Sequence, residues 1–127
     1  MLRTAIAAKE AGRTILVSDA MPSVGAGHDE FSLGGRIIRV KNGRCTTEDG
    51  TLAGSNLHMA LAVRNAVEQL GLPIEEALRM ASLYPAAFLR LDQERGLIAA
   101  GYRADLVLLD DRFQAQRVWI GGKPLDG

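Results

Sequence analysis

Asp19 is the residue of this sequence best placed to do chemistry. It ends the run Thr14-Ile15-Leu16-Val17-Ser18, and a stretch rich in small residues follows from Ala20 to Gly27. A short apolar strand that delivers a carboxylate to a loop is how a parallel α/β sheet or barrel presents an acid at the C-terminal ends of its strands. Such a carboxylate takes a proton from an attacking water and hands one to a leaving group. The bland reading of an acid in that place is a turn or cap residue. Other reactive side chains are sparse, with two histidines and one cysteine in 127 residues. His28 lies in Gly25-Ala26-Gly27-His28-Asp29-Glu30, where the spacing is too tight to close three donors around one ion without a special loop. It reads as a solvated loop histidine. His58 reads as a helix-surface or packing residue. Cys45 has no nearby His or acid to activate its thiol.

The run Gly50-Thr51-Leu52-Ala53-Gly54-Ser55 is the second candidate. Its glycines let backbone approach a ligand closely. Ser55 stands before a helix whose free N–H groups attract anions. The plain alternative is a Gly-rich connection with a Ser cap.

The elements that must position these residues follow from periodicity and punctuation. Leu2 to Ala11 is alanine-rich and predicts a helix stopped by Gly12. Thr14–Ser18 predicts a parallel strand buried on both faces. Residues 21–29 form a loop with Pro22, Gly25 and Gly27. Phe31 to Leu33, Arg36 to Lys41 and Arg44 to Thr46 predict an antiparallel meander, with Gly34-Gly35 and Asn42-Gly43 as tight turns. Residues 48–55 read as a loop. Met59, Val63, Val67 and Leu70 recur at helical spacing. Pro73 opens a helix striped by Ile74, Ala77, Leu78 and Ala81, and Pro85 opens a short third one reaching about Leu89. Gly96 to Ile98, Leu106 to Leu109, Val118 to Ile120 and Lys123 to Leu125 are β-like. Trp119 reads as packing between these last strands. One parallel-type strand with no parallel neighbour before it, at the head of a chain that opens on a helix–strand unit, predicts the last part of a longer α/β enzyme.

Composition narrows the partners. The length fits about one domain. A hydrophobic fraction of 47% suffices for a core, and fifteen basic residues balance fifteen acidic ones. Neither sign is concentrated, so neither nucleic acid nor an anionic membrane is expected as a partner. No stretch approaches the roughly 20 apolar residues of a membrane span. A lone cysteine and no signal-type N-terminus predict a cytoplasmic protein.

Residues 13–127 resemble the C-terminal third of the N-acetylglucosamine-6-phosphate deacetylases, a family of the amidohydrolase superfamily. Leu16-Val17-Ser18-Asp19-Ala20 is similar to that family's eighth barrel strand. Lys41-Asn42-Gly43-Arg44-Cys45 and Gly50-Thr51-Leu52-Ala53-Gly54-Ser55 resemble its hairpin and the loop after it. Met80-Ala81-Ser82-Leu83-Tyr84-Pro85-Ala86 and Gly96-Leu97-Ile98-Ala99-Ala100-Gly101-Tyr102-Arg103-Ala104-Asp105-Leu106-Val107 resemble stretches shared across the superfamily.

The resemblance implies an α/β fold: the C-terminal part of a metal-dependent (β/α)8 barrel plus strands of a small β-sandwich domain. Residues 1–91 would supply the last strand, hairpins and helices of the barrel, and residues 92–127 the sandwich strands. It implies hydrolysis of N-acetylglucosamine-6-phosphate to glucosamine-6-phosphate and acetate in amino-sugar catabolism. A divalent metal, zinc or iron, would lower the pKa of a bound water. Asp19 would be general base and then general acid. Thr51, Leu52 and Ala53 would line the substrate pocket. His28 and His58 do not match ligand positions, so the metal ligands are expected largely outside this chain, and the chain alone is expected to be inactive.

Two alternatives stand beside this reading. One is another amidohydrolase acting on cyclic amides, of hydantoinase or dihydroorotase type. The other is a non-catalytic interaction module. In either case the unpartnered strand and helix faces predict exposed apolar surface and a homo-oligomer.

Overall fold

The computed structural model describes residues 1–125 and divides into two compact units. Residues 17–59 form one. Residues 1–16 and the chain from Ala60 onward form the other.

The 17–59 unit is an antiparallel meander of β1 (Glu30–Leu33), β2 (Arg36–Lys41), β3 (Arg44–Thr47) and β4 (Leu52–Ser55), in that spatial order. The hairpins predicted from Gly34-Gly35 and Asn42-Gly43 are present. Leu33 pairs with Arg36 across the first turn and Lys41 with Arg44 across the second. Asn42 and Gly43 have φ of 51° and 74°. Two successive residues at positive φ match the right-handed twist of the flanking strands, which is why Asn-Gly is favoured there. Alternation then sorts the faces. Ile38 and Cys45 are buried, and Val40, opposite Cys45, is half-buried. Arg39 lies on the other face, with Glu30 and Glu48 each 3.3 Å away. These exposed ion pairs add little stability.

Residues 48–55 were expected to form a loop, and the structure corrects this, because their second half is β4. Thr47 and Asp49 make the reversal. The Asp49 carboxylate accepts a bond from the Thr47 hydroxyl and another from the Thr51 N–H at 3.1 Å. These two bonds, the Thr47 bond above all, hold the Asp49 carboxyl below its ordinary pKa. The chain then pairs Leu52 with Thr46 and Gly54 with Cys45 across a bulge between Cys45 and Thr46. Glycine content disguises this strand in the sequence.

The other unit contains α1 (Leu2–Ala7), α2 (Met59–Glu68, from Ala60), α3 (Ile74–Ala81) and α4 (Leu83–Phe88). Its core is Val63, Ala66 and Ala77, with Leu16, Val67, Leu72, Ala81 and Phe113 packed on it. α1 stops at Ala7 rather than at Ala11 and buries no residue. A helix that short has little to extend it when no face is buried. α4 begins at Leu83, two residues before the expected start, with Pro85 inside its first turn, where a missing N–H costs nothing. A second sheet holds β5 (Leu106–Leu109), β6 (Ala115–Ile120) and β7 (Lys123–Pro124), all antiparallel. Residues 96–98, expected to be β-like, lie outside any strand.

Thr14–Ser18 is not a paired strand, contrary to expectation. Thr14 to Leu16 belong to the helical unit and Val17 and Ser18 to the meander unit. Leu16 N–H donates to the Met80 carbonyl at 3.0 Å, and Val17 is 74% exposed. A strand meant for burial on both faces needs neighbours on both edges, and no parallel partner for 14–18 exists among the described residues. Exposed apolar side chains are numerous, as the unpartnered elements predict. Phe88, Leu89, Ile98, Val107 and Leu108 are all more than half exposed. No helix among the described residues is long and apolar enough to cross a membrane.

Asp105 anchors the β6–β7 turn. Its carboxylate accepts from Gly121 N–H at 2.7 Å and Arg103 Nε at 2.9 Å, with Arg95 3.4 Å away. The Gly121 bond, then the two guanidinium charges, depress its pKa below the usual value. A carboxyl with a depressed folded pKa stabilises above its unfolded pKa and loses that contribution as pH falls through the folded value. Asp105→Asn is therefore expected to lower the urea midpoint of the full-length protein at pH 7. The gap from wild type should narrow toward about pH 2.5, below the ordinary carboxylate range. Parallel curves at both pH values would show that Asp105 does not carry this contribution.

Candidate functional site

Asp19 lies in the meander unit, and β4 is what holds it. Ala20 and Ser55 form a parallel bridge. Ser55 N–H donates to the Asp19 carbonyl at 3.0 Å, and Met21 N–H donates to the Ser55 carbonyl at 2.9 Å. The Ser55 hydroxyl donates to the Ser18 carbonyl and accepts from Leu57 N–H at 3.1 Å. One residue of β4 therefore grips three stations of the segment 18–21. Ser55 itself is fixed by its register with Arg44 on β3.

This grip is needed because Asp19 has φ of 51°, in the left-handed region. Asp tolerates that region better than most residues, yet a non-glycine residue there still costs on the order of 1–3 kcal/mol. Neutral hydrogen bonds contribute roughly 0.5–1.5 kcal/mol each. One bond falls at the low end of that cost, and three together, about 1.5–4.5 kcal/mol, are of its size. Asp19 is exposed. Its carboxylate is open to solvent while its backbone is constrained.

Gly54 makes the approach possible. It is buried with φ of 158°, and a Cβ there would lie 2.6 Å from Met21 Cγ and 3.2 Å from the Asp19 carbonyl oxygen. A side chain at 54 would displace the Met21 side chain and press on the Asp19 carbonyl. Thr51, Leu52 and Ala53 immediately precede this contact. Thr51 N–H bonds to Asp49, Leu52 is 60% exposed and Ala53 is half-buried. The structure thus joins Asp19 to the strand that carries Leu52 and Ala53, with Thr51 just before it. The sequence offers Ser55 or Asn56 as a helix cap, whereas in the structure Ser55 grips the 18–21 segment. α2 begins only at Met59. The signal available was the Gly-Ser pair that closes Gly50–Ser55.

The same unit holds a small polar cluster. Ser23 is 2% exposed, donates to Asn56 Oδ1 at 3.0 Å and sits 3.7 Å from Cys45 Sγ. Asn56 N–H donates to the Gly43 carbonyl at 3.0 Å. These bonds tie the loop after Met21 to both hairpin and β4. His28 is exposed in its loop, as expected. Among the described residues, no three His, Cys, Asp or Glu side chains cluster in a way that could hold a metal ion. These residues by themselves do not fit a divalent-metal centre.

Comparison with known proteins gives one consistent picture. The amidohydrolase family model matches residues 15–125. An N-acetylgalactosamine-6-phosphate deacetylase of Escherichia coli is 40% identical over 111 residues, covering 87% of this chain and 29% of the relative. The crystal structure of N-acetylglucosamine-6-phosphate deacetylase from Pasteurella multocida superposes with a TM-score of 0.91 at 31% identity, covering 99% of this chain and 33% of that one. A Mycobacterium smegmatis N-acetyl-D-glucosamine-6-phosphate deacetylase variant, in complex with N-acetyl-D-glucosamine-6-phosphate, superposes with a TM-score of 0.83 at 34% identity. That match covers 97% of this chain and 33% of the other. The chain spans about a third of the length of these three proteins.

Cys45 has no exposed surface, so its thiol is expected to react with a chromogenic thiol reagent only as the protein unfolds. The reaction rate across a urea series should track the unfolded fraction. Rapid labelling in the absence of denaturant would contradict the packing of Ser23 and Gly54 around β3.

Proposed function

The chain belongs to the amidohydrolase family, and from that premise we propose that it is the C-terminal segment of a metal-dependent hexosamine-6-phosphate deacetylase. The observation that carries this reading is the superposition of 99% of the chain on N-acetylglucosamine-6-phosphate deacetylase at a TM-score of 0.91. Residues 1–91 are the closing part of a (β/α)8 barrel, and residues 92–127 belong to a small β-sandwich domain, of which 126 and 127 lie outside the described residues. The substrate is N-acetylglucosamine-6-phosphate, and the products are glucosamine-6-phosphate and acetate. The protein works in the cytoplasm as a homo-oligomer, in keeping with its exposed apolar side chains.

Asp19 is the general base and then the general acid. It follows the apolar run 14–18, its backbone is held by β4, and the residue is exposed to solvent. The carboxylate takes a proton from the attacking water. The water oxygen bonds to the acetyl carbonyl carbon, the C–N bond breaks, and the same carboxyl returns the proton to the departing amine. Thr51, Leu52 and Ala53 form pocket wall, acting through backbone and shape. Zinc or iron belongs to this reading through the family, with ligands supplied by residues other than those described, and no step is assigned to it.

The epimeric substrate N-acetylgalactosamine-6-phosphate is the second reading. The 40% identity to an enzyme named for it favours that possibility specifically.

Acetate release by the full-length protein tests both. Asp19→Asn is expected to lower kcat by about 10²–10⁴-fold, the usual worth of a general acid–base group, with KM within about threefold of wild type. Wild-type kcat in the variant would remove Asp19 from the chemistry. The ratio of kcat/KM for the two epimers decides between the substrates. Hydrolysis of a cyclic amide with neither acetyl sugar phosphate cleaved would overturn the deacetylase reading.

A further inference from the structure

We propose that Ser55 is a positioning residue for Asp19, and that its hydroxyl, together with its backbone N–H, sets the direction of the Asp19 side chain. This rests on the reading of Asp19 as general base.

Two peptide groups flank the Asp19 Cα. The one before it carries the Ser18 carbonyl, and the one after it carries the Asp19 carbonyl. Rotation between the first and Cα is φ, and rotation between Cα and the second is ψ. Fixing both planes fixes the Cα–Cβ direction, and with it where the carboxylate starts from. Ser55 N–H holds the second plane through the Asp19 carbonyl at 3.0 Å. Any residue at position 55 other than proline supplies that bond. The first plane is held through the Ser18 carbonyl, and the Ser55 hydroxyl is the group that donates to it. The angle it holds is φ of 51°, which a non-glycine residue leaves when released.

The hydroxyl is itself oriented. Leu57 N–H donates to it at 3.1 Å, which occupies acceptor capacity and turns the O–H toward Ser18. Ser55 is fixed in turn by the β3–β4 ladder, through its register with Arg44 and that of Gly54 with Cys45. Gly54 adds the space that lets the two segments meet, since a Cβ there would press on Met21 and the Asp19 carbonyl. The meander thus works as a jig for one carboxylate. Its last residue reaches both peptide planes around Asp19.

Reaction geometry is sensitive to displacements of about 1 Å, which cost up to ~10²-fold in rate. Ser55→Ala in the full-length protein is expected to lower kcat for deacetylation about 10- to 100-fold while KM stays within about twofold. Ser55→Thr, which keeps the hydroxyl, should recover kcat to within about threefold of wild type, and Ser55→Val, of the same shape without it, should not. In an Asp19→Asn background, Ser55→Ala should cost nothing further, because a residue that acts only through Asp19 has no effect once its carboxylate is gone. Equal kcat for the Thr and Val variants overturns the proposal. So does a full Ser55→Ala loss that persists in the Asp19→Asn background, which would mark a merely structural role. If Ser55→Ala does not fold, the Thr and Val pair alone decides. Asp19→Asn with wild-type kcat would instead remove the general-base reading, and the proposal with it. A dead Asp19→Asn with an unaffected Ser55→Val would remove the proposal alone.

Discussion

The grip of Ser55 on the segment from Ser18 to Met21 is the interaction on which the placement of Asp19 depends. An exposed carboxylate on a short segment has no intrinsic reason to hold one orientation. Asp19 is also asked to hold a backbone angle that most residues avoid. Three hydrogen bonds shared with Ser55, two that it donates and one that it accepts, hold the backbone on either side of that angle. They do so without burying the carboxylate, which stays exposed to solvent.

The rest of the 17–59 unit makes sense as support for that residue. The Asn42-Gly43 turn sets the register of β2 and β3. The Asp49 turn swings β4 back along β3, and the bulge between Cys45 and Thr46 adjusts its course. Ser23, Cys45 and Asn56 lock the loop after Met21 onto the same hairpin. Gly54 removes the side chain that would displace Met21 and press on the Asp19 carbonyl. Each is a local device, and together they place a single hydroxyl and a single N–H against two successive peptide groups.

How much of this was legible in the sequence depended on the range of the interaction. Asn42-Gly43 is a local signal, and its hairpin formed as read. The helix containing Val63 and Val67 and the one containing Ala77 and Ala81 have periodic apolar faces, and they pack where those faces meet. Asp19 stood out because a carboxylate after an apolar run is visible in one dimension. The grip itself was not visible, because Ser18 and Ser55 are 37 residues apart and nothing in the composition of either announces the bond. β4 was hidden for a different reason. Gly50 and Gly54 make its sequence look like a loop, while its pairing is decided by a turn that Asp49 closes through Thr47 and Thr51. Thr14–Ser18 failed in the opposite direction. Its residues have the propensity of a buried strand, but a strand is a relation between segments, and propensity alone does not supply the neighbour. The left-handed angle at Asp19 carries no sequence signature, since Asp is common at ordinary angles too.

The structural claim beneath all of this is that Ser55 and Met21 hold their amide protons in bonds across the 18–21 and β4 segments. Residue-resolved amide hydrogen exchange of the full-length protein measures it directly. Protection of the Ser55 and Met21 amides comparable to that of Val40 and Cys45 inside the meander is the expected result. Exchange of the Ser55 and Met21 amides at the rate of an open loop, with β2 and β3 still protected, would show that the meander does not hold Asp19.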